Sequence, residues 1–449
     1  MNVVIRVKMR RAYNSGNWDK ARFFANKLLS KDGEVKLAKS VIIRSYWNQR
    51  NLEKVGQLLT IWEDGELDFI REKYQRATNQ SLETHNSPIP NISKVWNPDD
   101  LVSNYVQEEQ LLWLKTPNMW VHWKMPPGFD LNRTNRALLE LAAELILKPW
   151  IKSTKRPFSV KRDFGQNYSL AFSAGTDSTA AMLLMPKDTI LGYHKRNFDS
   201  SIDHRNALKL IDHIKQNRNV LVIESNHERI RTTFGKGNGF STDYASGVHL
   251  ILLADFLDLK GVAFGLVMEN GWLKKGAEYR NFAETKHWLY WSKRFNEAGL
   301  HLVLPVNMIS EAGCMKICHS NEIGQYLNSC IRGDGETGCE KCWKCFHKNG
   351  PIGRKIDISS YEISTYLQKR PLRTAMHALW AIKNMNLEHL VPDLEHLLHQ
   401  NFSWWEDYYP PGLELLPQDL RKNIERNLKL NLKVMDDQSC LTNINLFPE

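Results

Sequence analysis

The sequence predicts an α/β chain built on a doubly wound parallel sheet, with helical additions at both ends. Three observations carry this. Between about 165 and 310, short apolar runs alternate with helix-period segments, the pattern of strands joined by crossover helices. Residues 1–76 and 351–449 carry helical periodicity without such runs. The 449 residues, 42% hydrophobic, exceed one compact core and suit two or three domains.

Residues 1–76 hold an internal repeat at an offset of 34. Asn17-Trp18-Asp19-Lys20-Ala21 matches Asn51-Leu52-Glu53-Lys54-Val55, and Phe24, Ala25 and Leu28 match Leu58, Leu59 and Trp62. The offset is that of a tetratricopeptide helix pair. Two copies are too few for a free-standing solenoid. The expectation is therefore a helical cap or a docking site for a protein partner. Residues 77–150 read as a polar, proline-marked linker (77–98) followed by a tryptophan-rich helical segment. That segment carries Trp113, Trp120 and Trp123, read as core or contact residues rather than base-stacking ones, and then a helix over Arg136–Leu147.

Residues 151–350 form the α/β domain. Strands are predicted at Tyr168–Phe172, Thr189–Tyr193, Val220–Ile223, Gly261–Phe264 and His301–Pro305. Helices are predicted from Ser178, Arg205 and Gly247. Ligands of such sheets sit beyond the carboxyl ends of the strands. From 351 to 449 the clearest helices are Ala375–Met385 and Asp419–Leu430.

The net charge of +10 suits anionic ligands; RNA is compatible with it but not favoured. Basic residues interrupt the N-terminal apolar positions, and no run of about 18 apolar residues occurs. A cytoplasmic chain without a membrane span is expected. Six of the seven cysteines lie between Cys314 and Cys345, which points to metal or redox chemistry rather than a disulfide framework. Cys330, Cys339, Cys342 and Cys345 can close a tetrahedron around Zn²⁺, and an iron–sulfur cluster is the alternative. Cys314 and Cys318 read as packed thiols.

The segment Ser173-Ala174-Gly175-Thr176-Asp177-Ser178-Thr179 joins the first strand to its helix. Backbone amides at such a turn attract anions, and the hydroxyls add donors. Asp177 would repel a phosphate directly, so its expected role is to hold Mg²⁺. Weaker candidates for substrate contact are Glu269 and Arg280, after a strand end, and Lys236 in the glycine-rich stretch Gly235–Gly239. His194 and His204 have no metal-ligand spacing and read as structural or solvent-facing.

The loop resembles the Ser-Gly-Gly-X-Asp-Ser signature of the PP-loop ATP pyrophosphatases. The resemblance implies a Rossmann-like (HUP-type) sheet whose loop grips the β,γ-pyrophosphate of ATP. Ala174 stands where that family has glycine, and a methyl group fits there if φ is negative. The loop, the C-x8-C-x2-C-x2-C cluster and Gly192-Tyr193-His194-Lys195-Arg196 together resemble the 7-cyano-7-deazaguanine synthases over roughly residues 165–350. That resemblance implies ATP, Mg²⁺ and a structural zinc, with adenylation of a small-molecule carboxylate or amide oxygen. Pyrophosphate leaves, and ammonia or an amine then forms the C–N bond, as in an ATP-dependent ligase. The family's Arg-Asn pair and Tyr-Pro-Asp-Cys-Arg motif are absent, so the substrate is a deazapurine relative or something different. Deazapurine biosynthesis and anti-phage defence are both contexts for such a chain. Competing readings are an RNA-modifying or sugar-amidating PP-loop enzyme, and a non-catalytic nucleotide-binding module with docking repeats.

Overall fold

The structure is a computed structural model. It describes residues 2–62 apart from 15, 16, 31–34 and 50; residues 67, 70, 71 and 74; and residues 100–447 apart from 117, 118, 151–156, 159, 199–201 and 235. The predicted linker at 77–98 lies outside the described residues.

The N-terminal part comprises α1 (Asn2–Asn14), α2 (Trp18–Leu29), α3 (Val35–Asn48) and α4 (Leu52–Ile61). The sequence repeat has a structural counterpart in its caps. Asn17 accepts from the Lys20 N–H at 3.1 Å, and Asn51 from the Lys54 N–H at 3.0 Å. Each side chain satisfies one of the amides left free at a helix start. The matched positions Ala21, Ala25, Val55 and Leu59 are all buried.

Next come three strands, β1 (Tyr105–Glu108), β2 (Leu111–Lys115) and β3 (Trp120–Lys124), and then α5 (Arg136–Leu147). The tryptophan-rich helical segment is thus corrected to antiparallel strands, with Trp113 on β2 and Trp120 and Trp123 on β3. Leu, Val and Trp suit a pleated surface. Both faces of β2 and β3 are buried, so the apolar alternation that marks a half-exposed strand is missing. All three indoles are buried and serve as core.

The main remaining elements are β4 (Asn167–Ala171), α6 (Thr176–Leu184), β5 (Ile190–Arg196), α7 (Arg205–Ile214), β6 (Val220–Ser225), α8 (Val248–Leu252), β7 (Leu259–Phe264), α9 (Lys286–Glu297), β8 (His301–Val303), α10 (Glu311–His319), α11 (Trp343–Lys348), α12 (Tyr361–Gln368), α13 (Ala375–Asn384) and α14 (Gln418–Asn431). An eight-stranded sheet runs β1-β2-β3-β6-β5-β4-β7-β8. The five strands from β6 to β8 are parallel, and β3 joins β6 antiparallel at Trp123 and Ser225.

Neighbouring residues of the central strands enter different cores. Ile190, Val262 and Leu302 join one hydrophobic cluster, and Leu191, Ala263 and Val303 the other. Successive side chains of a strand point to opposite faces, so the sheet is covered on both sides. Chain order reverses beside β4, whose two neighbours are β5 and β7. Crevices open at such a reversal, beyond the carboxyl ends of the strands. Among the described residues, no helix is long and apolar enough to cross a membrane.

Candidate functional site

The loop after β4 occupies that crevice. Gly175 is the N-cap of α6, extended at φ −91° and ψ 169°, with no side chain to cap the helix. The first amides of α6 therefore need other acceptors. Ser329 supplies one: the Thr176 N–H donates to its Oγ at 2.9 Å, and the two hydroxyls lie 2.6 Å apart. The Ser173 N–H donates to Ser178 Oγ at 3.2 Å, which sets the turn. The Thr179 hydroxyl is buried without a hydrogen-bond partner among the described residues.

Ala174 has φ +56°, not the negative value expected for a tolerated methyl group. The turn demands a left-handed residue, and alanine meets that demand at a cost of about 1–2 kcal/mol.

A cavity of 610 Å³ opens in front of the loop, lined by Ser173, Ala174 and Gly175, by Gly192 and Tyr193 of β5, and by Phe240. Lys344 and Arg373 also line it, and neither has an ion-pair partner among the described residues. Arg196, on the same wall, is held by Glu228, with Nε 2.7 Å from Oε1. His194 and His204, read from sequence as structural or solvent-facing, line this cavity as well. His204 Nδ1 lies 2.5 Å from the Tyr193 hydroxyl.

The three weaker candidates are not brought to this cavity. Glu269 is buried and accepts the Glu311 N–H at 2.7 Å at the start of α10. Arg280 donates to the carbonyls of Gly271 and Asn270, each at 2.6 Å. Lys236 is exposed on the surface.

Sequence reasoning missed a charged cluster beneath the loop. Lys348 Nζ lies 2.5 Å from Asp177 Oδ1 and 3.2 Å from Glu311 Oε2. Burial pushes the Asp177 carboxyl up, against the pull of Lys348. Burial also pushes Glu311 up, but Lys348, His377 and His347 outweigh it and hold that carboxyl low. Burial pulls the Lys348 ammonium down, and Asp177 and Glu311 more than compensate. Lys344 and Lys348 stand four apart on α11, interleaved with the cysteines, and that spacing was the available signal.

The four predicted cysteines converge. Sγ separations are 4.0 Å for Cys330–Cys342, 3.9 Å for Cys339–Cys345 and 3.6 Å for Cys342–Cys345. A tetrahedron of thiolates around zinc, with bonds of about 2.3 Å, has sulfurs about 3.8 Å apart. Backbone N–H groups of Arg332 and Cys339 point at Cys330 Sγ, at 3.4 and 3.2 Å, as a thiolate requires. The cluster can hold a metal such as zinc. Cys314 and Cys318 are buried on α10, where Cys318 Sγ meets the Thr176 carbonyl at 3.5 Å. The cluster also positions the loop: Ser329 precedes Cys330, and Lys344 and Lys348 flank Cys345 on α11.

No curated protein and no solved structure matches the chain. Residues 290–441 match the model of one family, described as a family of unknown function (DUF6395). The matched stretch runs from within α9 to beyond α14 and includes Glu311, Ser329, the four cysteines and Lys348.

Proposed function

We propose that this chain is an ATP- and Mg²⁺-dependent enzyme with a Rossmann-like sheet of the PP-loop type. It adenylates a carboxylate or amide oxygen and then forms a C–N bond, in the manner of the 7-cyano-7-deazaguanine synthases. One observation carries the reading. A small-residue loop leaves the strand at the sheet's reversal, opens a helix, and faces a 610 Å³ cavity that also receives Lys344 and Arg373.

Each part has a task in this reaction. The amides at the start of α6 bind the β,γ-phosphates, which take the place of Ser329 Oγ at Thr176. Lys344 and Arg373 balance the triphosphate charge. Lys348 fixes the Asp177 carboxylate through Oδ1, and Oδ2 makes no hydrogen bond among the described residues, so it suits Mg²⁺. The metal would supply neutralisation of the phosphate oxygens. A substrate oxygen attacks the α-phosphorus, pyrophosphate leaves, and ammonia or an amine displaces AMP; the site contributes positioning and charge. The four cysteines hold a structural zinc that keeps Ser329, Lys344 and Lys348 in place.

The test is pyrophosphate release from ATP and Mg²⁺, with and without 7-carboxy-7-deazaguanine and ammonium, for wild type and Asp177→Asn. Release that needs Asp177 and rises with the acid supports the full reading. Release that ignores the acid keeps the mechanism and redirects the substrate. ATP binding without release favours the non-catalytic module.

A further inference from the structure

A second group of metal-ligating side chains lies apart from the cysteines. Glu311 opens α10, His347 sits near the end of α11, and His377 is in the first turn of α13. All three are buried, and their ligand atoms lie within 4.8 Å of one another.

Hydrogen bonding fixes the His347 tautomer. The Tyr366 hydroxyl donates its one proton to the Arg373 carbonyl at 2.7 Å. His347 Nε2, 2.7 Å from that hydroxyl, must then be the donor between them. Nδ1 is left a bare acceptor. It has no hydrogen-bond partner among the described residues and stands 4.0 Å from Glu311 Oε2, another acceptor, whose other neighbour is Lys348 Nζ at 3.2 Å. His377 Nε2 is 3.7 Å from the same oxygen and 3.2 Å from the His347 carbonyl, and its Nδ1 lies 3.8 Å from Glu269 Oε1. The His377 Nε2–H donates to that carbonyl as the structure stands, and an ion on Nε2 moves the proton to Nδ1. The facing lone pairs of His347 Nδ1 and Glu311 Oε2 in a buried space call for a cation between them.

Charge points the same way. Asp177, Glu311 and Glu269 lie together; Lys348 touches only the first two, at 2.5 and 3.2 Å, and Lys344 acts on those same two without an ion-pair contact among the described residues. Uncompensated buried carboxylates cost several kcal/mol each.

We propose that Glu311, His347 and His377 bind a second divalent transition-metal ion, separate from the four-cysteine centre. Two imidazoles and one carboxylate suit zinc, manganese, iron, cobalt or nickel rather than Mg²⁺ or Ca²⁺. The outer contacts suit it too. With the ion on His377 Nε2, the Nδ1–H faces Glu269, and the His347 Nε2–H is held by Tyr366; metal-bound histidines use their second nitrogen in this way. Bonds of about 2.1 Å set tetrahedral ligands about 3.4 Å apart, so His347 Nδ1 and His377 Nε2, at 4.0 and 3.7 Å from Glu311 Oε2, each close on that oxygen by about half an ångström or less around the ion. Lys348 then keeps Asp177 as its partner. This inference does not depend on the nucleotide reading.

Full-length protein stripped of metal and reloaded with Co²⁺ provides the test, by metal analysis and absorption spectroscopy. Two equivalents per chain are expected. One gives the intense thiolate-to-cobalt bands, and the other gives only weak visible bands. His347→Gln with His377→Gln lowers the count to one and leaves the thiolate bands intact, which also reports that the fold survives. Glu311→Gln, the milder change, weakens the second equivalent at least tenfold. One equivalent in the wild type, fully accounted for by thiolate bands, overturns the proposal. So does retention of both equivalents in the two-histidine variant.

Discussion

Replacing Lys348 with methionine removes the ammonium that joins the loop helix to α10 and keeps most of the aliphatic volume. Its Nζ sits 2.5 Å from Asp177 and 3.2 Å from Glu311, and the side chain is 8% exposed. At an effective dielectric of about 20, contacts at these distances are worth roughly 7 and 5 kcal/mol in gross Coulomb energy. Desolvation offsets much of that, and removing one partner from a buried pair typically costs about 3–5 kcal/mol. Lys348→Met is therefore expected to lose about 3–5 kcal/mol at pH 7. Adding Asp177→Asn should return at least about 1 kcal/mol, because it removes the carboxylate left without its cation. The pH dependence has a defined sign. Glu311 is held low in the folded wild type, so its contribution is full above its ordinary value of 4.5 and fades as pH falls further. In Lys348→Met the unpaired Asp177 carboxyl, already raised by burial, takes up a proton more readily, so the gap to wild type narrows toward pH 5. Urea unfolding followed by tryptophan fluorescence measures these changes, with zinc content checked in each variant. A loss below about 1 kcal/mol, or single and double variants that simply add, would refute the reasoning.

Two further outcomes follow from other parts of the fold. Ala174→Gly relieves the left-handed strain at φ +56° but frees the unfolded chain, so a net gain of about 0.5–1 kcal/mol is expected in the same assay. A loss would mean that the buried methyl group matters more than the backbone. Acid should destabilise the protein below pH 6.5. Burial lowers His249 to about 4 and holds His194 and His227 well below their usual value. Above 6.5 these histidines are neutral in both states; below it, only the unfolded chain takes up their protons, and stability falls as pH drops toward 4. The full His249 shift corresponds to about 3 kcal/mol. A urea midpoint unchanged between pH 7 and pH 5 would contradict this.

Much of the sheet was legible because buried parallel strands are continuous apolar runs, as at Tyr168–Phe172 and Gly261–Phe264, and the helices between them start after small or polar residues. The 34-residue repeat was legible as matched positions, and the structure adds that its Asn17 and Asn51 cap their helices. The strands carrying Trp113, Trp120 and Trp123 were not, because residues buried on both faces lose the two-residue alternation. At the site, the loop and the cysteines are contiguous in sequence and announced themselves. Ser329 and Lys348 reach the loop from other elements 153 and 171 residues away, at 2.9 and 2.5 Å, and Glu311 meets Lys348 there at 3.2 Å, so only the fold brings them together. Glu269, Arg280 and Lys236 were chosen by position after a strand or in a flexible stretch, which does not say where a side chain points.

Titration calorimetry with Mg²⁺ and a non-hydrolysable ATP analogue tests nucleotide binding by the Ser173–Thr179 loop most directly, on wild type and Gly175→Val. A Cβ at Gly175 would meet only Ser173 Oγ at 3.4 Å and Ser329 Oγ at 3.9 Å, so the variant should fold while its side chain keeps phosphate from the amides. One site per chain in the wild type, lost in Gly175→Val at an unchanged melting temperature, is the predicted result. Equal binding by the two proteins, or none by the wild type at millimolar analogue, would contradict it.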